Sequence, residues 1–173
     1  MLQYLIVCPL VFLAGLVDSI AGGGGLIALP AYLIAGVPAH MALGTNKMSS
    51  AMGTVVSTAR FARNGYLRGK MLMAACSAAA ALIGSALGAH LALMVSEEII
   101  KHMMIVVLPI VAFYVLRNKD MGENEKTGTI PQVKVFAICI AAAFFIGGYD
   151  GFYGPGTGTF LILILTGAAR LDT

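Results

Sequence analysis

Charged side chains are scarce in this sequence of 173 residues: Asp, Glu, Lys and Arg together make up only 11% of it. Soluble domains carry about 25% charged residues, so a soluble fold would lack the polar side chains that cover its surface. The hydrophobic fraction is 59% and the mean hydropathy is +0.90. The composition therefore indicates an integral membrane protein and excludes a basic nucleic-acid-binding face.

Chemistry-bearing motifs are also missing. The three cysteines, Cys8, Cys76 and Cys139, lie inside apolar blocks and show neither metal-ligand spacing nor a disulfide pattern. The sequence contains no HExxH motif and offers no nucleophile–base pair, so we predict no enzyme, no metal site and no cofactor. The glycine run at 22–25 is not followed by Gly-Lys-Ser/Thr, which excludes a nucleotide-hydrolysing P-loop.

The apolar residues form seven segments, at 2–20, 26–37, 41–61, 71–95, 99–116, 133–149 and 159–169. A helix rises 1.5 Å per residue and needs about 20 residues to cross the hydrocarbon core, so segments 26–37 and 159–169 are too short to span. Residues 1–17 carry no basic side chain, which favours a retained first helix over a signal peptide. We predict an all-α fold, a polytopic bundle of transmembrane helices.

Basic residues predict the orientation of this bundle. They cluster in two links, at Arg60, Arg63, Arg68 and Lys70 and at Arg117, Lys119, Lys126 and Lys134. The positive-inside rule places both links in the cytoplasm, as expected for a multi-pass protein of the inner (plasma) membrane. The polar loop 117–132 divides the chain into a first transmembrane repeat at 1–116 and the start of a second, incomplete repeat at 133–173.

An internal repeat supports that division. The stretch AGLVDSIAGGGGLIALP at 14–30 aligns without gaps with IGGYDGFYGPGTGTFLI at 146–162, so that Asp18 matches Asp150. In each copy an apolar helix ends in an aspartate, a glycine-rich break follows, and a short apolar segment comes next. If every segment crosses the membrane, an odd number of crossings separates the two copies, and the copies have inverted orientations. If segment 41–61 lies in the membrane interface instead, the two copies are parallel.

Glycine-broken helices in a membrane survive where they face protein or a wet cavity, and paired breaks are typical of transporter binding sites. We predict that backbone N–H groups and helix dipoles at the breaks bind a small anion. The residues at the breaks predicted to bind it are Gly22, Gly23, Gly24, Gly25, Gly154, Gly156, Thr157 and Gly158. Tight helix packing or a plain turn is the alternative explanation for the glycines.

Asp18 and Asp150 are the acidic residues inside otherwise apolar blocks. A carboxylate in a membrane is costly, so we predict that both couple transport to an ion, as a proton or cation relay. The alternative is that each caps the short helix after the break, and one residue could do both.

Small residues four apart predict close helix contacts. They occur at Gly84 and Gly88, extended by Ala80 and Ala92, and at Ser49, Gly53 and Ser57. Such spacings also arise by chance in alanine-rich helices.

Three motifs, DSIAGGGGL at 18–26, ALGTNK at 42–47 and YDGFYGPGTGTF at 149–160, resemble the sulfite exporter TauE/SafE family of membrane transporters. The resemblance implies a multi-helix inner-membrane protein that exports or takes up sulfite, organosulfonates or related anions. It also adds Asn46 and Lys47 to the substrate site, where Lys47 neutralises an anion or pairs with Asp18; an interfacial lysine is the other explanation. Family members continue through several more helices, so we expect a C-terminally truncated chain.

These features together predict a secondary transporter of small anions, driven by a gradient, whose halves rock around a site at the paired breaks. A passive anion channel or pore and a non-transporting membrane subunit are the alternatives. The predicted partners are the anionic substrate and the lipid bilayer, without nucleic acid; a homo-oligomer is compatible with the sequence.

Overall fold

The computed structural model describes residues 2–21, 23–66, 69–117 and 131–167. Seven α-helices lie in these ranges: α1 (Leu2–Ala21), α2 (Gly25–Ile34), α3 (Ala39–Arg63), α4 (Met71–Met94), α5 (Glu97–Arg117), α6 (Gln132–Phe152) and α7 (Thr157–Gly167). The described ranges contain no strand. The predicted all-α class is therefore confirmed. Most of the polar loop predicted at 117–132, residues 118–130, lies outside the described residues, and its cytoplasmic location stays a prediction.

Two helices of the described chain, α4 and α6, are long and apolar enough by length and composition to cross a bilayer. Helices α2 and α7 have 10 and 11 residues, which at 1.5 Å per residue gives each about half of the roughly 30 Å hydrocarbon thickness. The sequence prediction is therefore confirmed for segment 26–37, whose helix α2 ends at Ile34; α7 reaches the end of the described residues, so the prediction for segment 159–169 stays a prediction. Each of α2 and α7 follows a helix of 20 or 21 residues across a short break.

The outer surface of the bundle is apolar. On α4 and α6, four large side chains are between 72% and 75% exposed: Leu72, Leu82, Leu93 and Phe145. Exposed apolar side chains of this number would be unstable in water, whereas hydrocarbon is their natural surrounding. The surface agrees with the composition in placing this bundle in a membrane.

Glycines join α4 to α6. A Cβ atom built at Gly84 would overlap the carbonyl oxygen of Phe144, and one at Gly88 would overlap the carbonyl oxygen of Gly148. In the other direction, a Cβ at Gly151 would overlap the carbonyl oxygen of Ser85. Backbones approach this closely only where both helices lack side chains. The close contact predicted from Gly84 and Gly88 is confirmed, and the structure identifies α6 as the partner.

The second small-residue face does not behave in this way. Ser49, Gly53 and Ser57 on α3 are exposed, and nothing lies within 4 Å of a Cβ built at Gly53. The predicted close helix contact at this face is therefore wrong for the described residues. The small side chains on this face of α3 border an open groove instead of a packed helix–helix contact.

The buried core holds α2 and the start of α3 in place. Leu29 of α2 and Met104 of α5 are fully buried, and Ile100 of α5 is 1% exposed. At the beginning of α3, the N–H of Ala39 donates to Glu97 Oε1 at 2.9 Å. A carboxylate is stabilising at a helix N-terminus because it accepts an otherwise unpaired N–H and opposes the helix dipole. The first turn of α5 thus fixes the start of α3.

Candidate functional site

The first break lies between α1 and α2 and is closed by Asp18. Its Oδ1 atom accepts the N–H of Gly23 at 3.0 Å and the N–H of Gly24 at 2.9 Å. Gly23 has φ +110°, a conformation that L side chains rarely adopt. Asp18 therefore binds the backbone of the break immediately before α2, close to the capping role considered from the sequence. The two N–H groups predicted to bind an anion are occupied by this carboxylate.

The other described glycines of the first break, Gly24 and Gly25, leave room for neighbouring helices. A Cβ at Gly24 would overlap the carbonyl oxygen of Ala14 and lie 2.7 Å from Asp18 Cβ, so Gly24 lets α2 pack on α1. A Cβ at Gly25 would lie 3.1 Å from Asn46 Nδ2, which brings α3 to the same break. Gly22 lies outside the described residues.

Replacing Gly24 with alanine is expected to lower the stability of the folded protein by about 1–3 kcal/mol, the usual cost of overpacking. The φ of Gly24 is −53°, so the cost comes from the clash with backbone atoms and not from the conformation. Gly53→Ala is the matched control, because open space surrounds Gly53 and alanine favours a helix interior by about 1 kcal/mol. Unfolding by denaturant in detergent measures both variants, and equal midpoints would contradict the contact.

The second break lies between α6 and α7 and is held by side chains. Tyr149 Oη donates to the carbonyl oxygen of Pro155 at 2.7 Å, and Thr157 Oγ1 donates to Asp150 Oδ1 at 2.8 Å. Thr157 Oγ1 also contacts the carbonyl oxygen of Gly154. Gly154 and Gly156 have φ +100° and +83°, so both turn the chain in a way that favours glycine.

Lys47 reaches this second break from α3. Its Nζ atom lies 3.0 Å from Asp150 Oδ2, with 28% of the lysine side chain and 39% of the aspartate side chain exposed. A Cβ at Gly154 would lie 2.6 Å from Lys47 Nζ, so the glycine leaves room for the ammonium group. From the sequence, Lys47 was expected either to neutralise an anion or to pair with Asp18; the structure pairs it with Asp150 instead, because α3 contacts both breaks.

Consecutive residues of α3 therefore serve different breaks. Asn46 faces Gly25 at the first break, and Lys47 pairs with Asp150 at the second. Neighbouring residues on a helix point about 100° apart, since 3.6 residues make one turn. One helix can thus contact both breaks without bending, and it connects the two predicted repeats.

A groove of about 390 Å³ opens between α1, α2 and α3. At the first break it is lined by Asp18, Gly24, Gly25 and Asn46. Along α3 its wall consists of Ser49, Ser50, Gly53, Thr54 and Ser57. These five small residues recur every three or four positions and form one face of the helix. Sequence reasoning identified part of this face but interpreted it as packing, although its hydroxyl groups could have indicated a wet wall.

The remaining predicted residues are distributed as follows. Gly156 touches α5, since a Cβ there would lie 2.5 Å from Val111 Cγ1. Gly158 is exposed on α7. Tyr149, which stabilises the second break, was not predicted; its position next to Asp150 was the available signal.

No group of three or more His, Cys, Asp or Glu side chains that could hold a metal occurs in the part of the chain that the structure describes.

Comparison with known proteins agrees with this architecture. The model of the sulfite exporter TauE/SafE family matches residues 7–173. The chain belongs to this family. The resemblance inferred from the three motifs is therefore confirmed, and with it the assignment to a family of membrane transporters. No solved structure matches the chain.

Three relatives show how far the similarity extends. The chain is 40% identical over 154 residues to the probable membrane transporter protein ORF9 of a Sinorhizobium species, covering 88% of this chain and 56% of that protein. It is 34% identical to a probable membrane transporter protein of Haemophilus influenzae, covering 88% and 58%. It is 32% identical to the probable membrane transporter protein YfcA of Escherichia coli, covering 87% and 54%. The chain thus spans about half the length of the curated relatives it matches.

Proposed function

We propose that the chain forms part of a secondary transporter that moves a small anion, sulfite or an organosulfonate or a related sulfur compound, by alternating access. The observation that carries the proposal is the meeting of two helix breaks at Asn46 and Lys47 of α3. Discontinuous helices that converge in a membrane protein are a recurring form of substrate site. Lys47 supplies the positive charge for an anion, and the groove beside Asn46 supplies the approach.

The charges at the breaks favour coupled transport over a passive pore. Two carboxylates, Asp18 and Asp150, lie there with one ammonium group, Lys47. With all three ionised, their sum is one negative charge, which repels an entering anion. A proton on one carboxylate removes this barrier, so the anion and a proton move together. A pore selective for anions would instead present a surplus of positive charge.

We further propose that the protein lies in the inner membrane with the α3–α4 link in the cytoplasm. Arg60 and Arg63 end α3, and Lys70 precedes α4. Positive residues of short links are retained on the cytoplasmic side. The two-repeat organisation and the inversion of the second repeat also stay predictions.

The test is anion uptake by the full-length protein, purified and reconstituted in proteoliposomes. We expect sulfite or a small sulfonate to accumulate when the accessible side is acid, and the accumulation to collapse when a protonophore removes the pH gradient. Liposomes without protein give the leak, and chloride serves as an anion of different chemistry. Saturable flux that is indifferent to the gradient would support the pore, and no flux of any sulfur anion would overturn the proposed substrate class.

A further inference from the structure

The two aspartates occupy matching positions but have hydrogen-bond partners of different kinds. Asp18 Oδ1 accepts two backbone N–H groups, from Gly23 and Gly24. Asp150 Oδ1 accepts the hydroxyl of Thr157, and its Oδ2 faces the ammonium of Lys47. A backbone N–H can only donate, whereas a hydroxyl can donate and accept. The partners of the first carboxylate can only donate, which favours its ionised form, whereas the second carboxylate has beside the ammonium a hydroxyl that can also accept from its protonated form.

Thr157 has one hydroxyl hydrogen and two acceptors within reach. Its Oγ1 atom contacts both Asp150 Oδ1 and the carbonyl oxygen of Gly154. While Asp150 is ionised, the hydroxyl donates to the carboxylate. When a proton from water adds to Asp150, the new O–H donates to Thr157 Oγ1, and the threonine hydrogen turns to the Gly154 oxygen. The hydrogen bond between Thr157 and Asp150 is therefore kept in both states, and only its direction changes.

On the premise that the protein transports an anion, we propose that Asp150 takes up and releases the coupling proton, that Thr157 is its positioning residue, and that Asp18 stays ionised at the first break. Protonation of Asp150 ends its ion pair with Lys47, and the ammonium charge becomes available to the anion. Release of the anion lets the proton return to water and the ion pair form again. Proton and anion then travel in a ratio of one to one at this site.

Few charged or titratable groups lie next to Asp150 that could exchange a proton with it. Lys47 of α3 supplies the charge that faces it, and Thr157 of α7 supplies the hydroxyl. Tyr149, its neighbour in α6, has its hydroxyl turned to Pro155. Helix α4 contacts this end of α6 through Ser85 and Gly88, and helix α5 contacts Gly156 through Val111. These three contacting residues are uncharged.

The test is a pH titration of the full-length protein in membranes by infrared difference spectroscopy, which detects the carbonyl stretch of a protonated carboxylic acid. Among the bands that acidification produces from the carboxyl groups of the protein, we expect one component that Asp18→Asn retains and Asp150→Asn loses. In Thr157→Val this component should reach half its height about one pH unit higher, because a charge-assisted hydrogen bond to the ionised form is lost. Thr157→Ser, which keeps the hydroxyl, should titrate like the natural protein.

Several results would overturn the inference: a spectrum that Asp150→Asn leaves unchanged, a loss of the same component in Asp18→Asn, or equal titrations of Thr157→Val and Thr157→Ser. The threonine pair decides the question even if Asp150→Asn does not fold. This measurement needs no substrate, so it stands apart from the uptake assay. If uptake fails while the titration behaves as expected, the substrate is wrong and the proton site is retained; if uptake succeeds and Thr157→Val leaves its pH profile unchanged, the proton site is wrong.

Discussion

Lys47→Met is expected to lower anion uptake by the full-length protein about 10-fold, which corresponds to the lower end, about 1.5 kcal/mol, of a hydrogen bond to a charged group. Two losses combine in this variant. The ammonium group that attracts the anion is gone, and Asp150 keeps its charge without the partner that lies 3.0 Å away. Initial rates of sulfite uptake in proteoliposomes measure the effect.

Controls separate the site from general damage. Lys134→Met removes an exposed lysine from the first turns of α6 and should leave uptake unchanged. Lys47→Arg keeps the charge, but the guanidinium must fit beside Gly154, where the ammonium already lies close. We therefore expect Lys47→Arg to transport more slowly than the natural protein and faster than Lys47→Met.

A double variant distinguishes folding from transport. Removing one partner of an ion pair leaves an uncompensated charge, whereas removing both restores neutrality. Lys47→Met with Asp150→Asn should therefore recover the stability lost in Lys47→Met alone, but not the uptake. The partial exposure of both side chains reduces the expected recovery to about 1 kcal/mol. Normal uptake by a well-folded Lys47→Met protein would place the anion elsewhere.

The breaks were predictable because local chemistry determines them. An aspartate followed within a few residues by several glycines can accept N–H groups just before the next helix, as Asp18 does with Gly23 and Gly24. The short length of α2 followed from counting apolar residues. Local patterns of this kind do not depend on how the helices pack.

The partner of Lys47 could not be predicted because it depends on packing over long sequence distances. Lys47 and Asp150 are separated by most of the chain, and they meet only because α3 and α6 lie in one bundle. Position in the sequence made Asp18, in the same predicted repeat, the nearer candidate. The interlocking of the two predicted repeats through α3 is a property of the assembled fold.

Small residues were ambiguous for a different reason. Gly84 on α4 and Gly53 on α3 both belong to helical rows of small residues, but one contacts α6 and the other faces a groove. A missing side chain allows either close backbone contact or open space. The neighbours differ, since alanines accompany Gly84 whereas Ser50 and Thr54 accompany Gly53, and hydroxyl groups are better suited to a polar groove.

Gly88→Leu is expected to have the largest effect on stability, because Gly88 lies where the backbones of α4 and α6 are in direct contact. A Cβ there would overlap the Gly148 carbonyl oxygen and lie 2.7 Å from the Phe152 nitrogen. Both atoms belong to the backbone and cannot rotate away as a side chain could. The helices must separate to admit the larger residue, and the loss should exceed about 3 kcal/mol, the upper end of ordinary overpacking.

Gly44→Leu is the matched control, since Gly44 is an exposed residue of α3 with nothing within 4 Å of its Cβ position. The same substitution there removes a helix-weakening glycine without a clash and should preserve or raise stability. Size-exclusion profiles and the denaturant midpoint in detergent measure both variants. A Gly88→Leu protein as stable as the Gly44→Leu protein would mean that the backbones of α4 and α6 do not pack directly against each other. In that case the end of α6 would have no fixed support, and the distance from Asp150 to Lys47 would no longer be set by the fold.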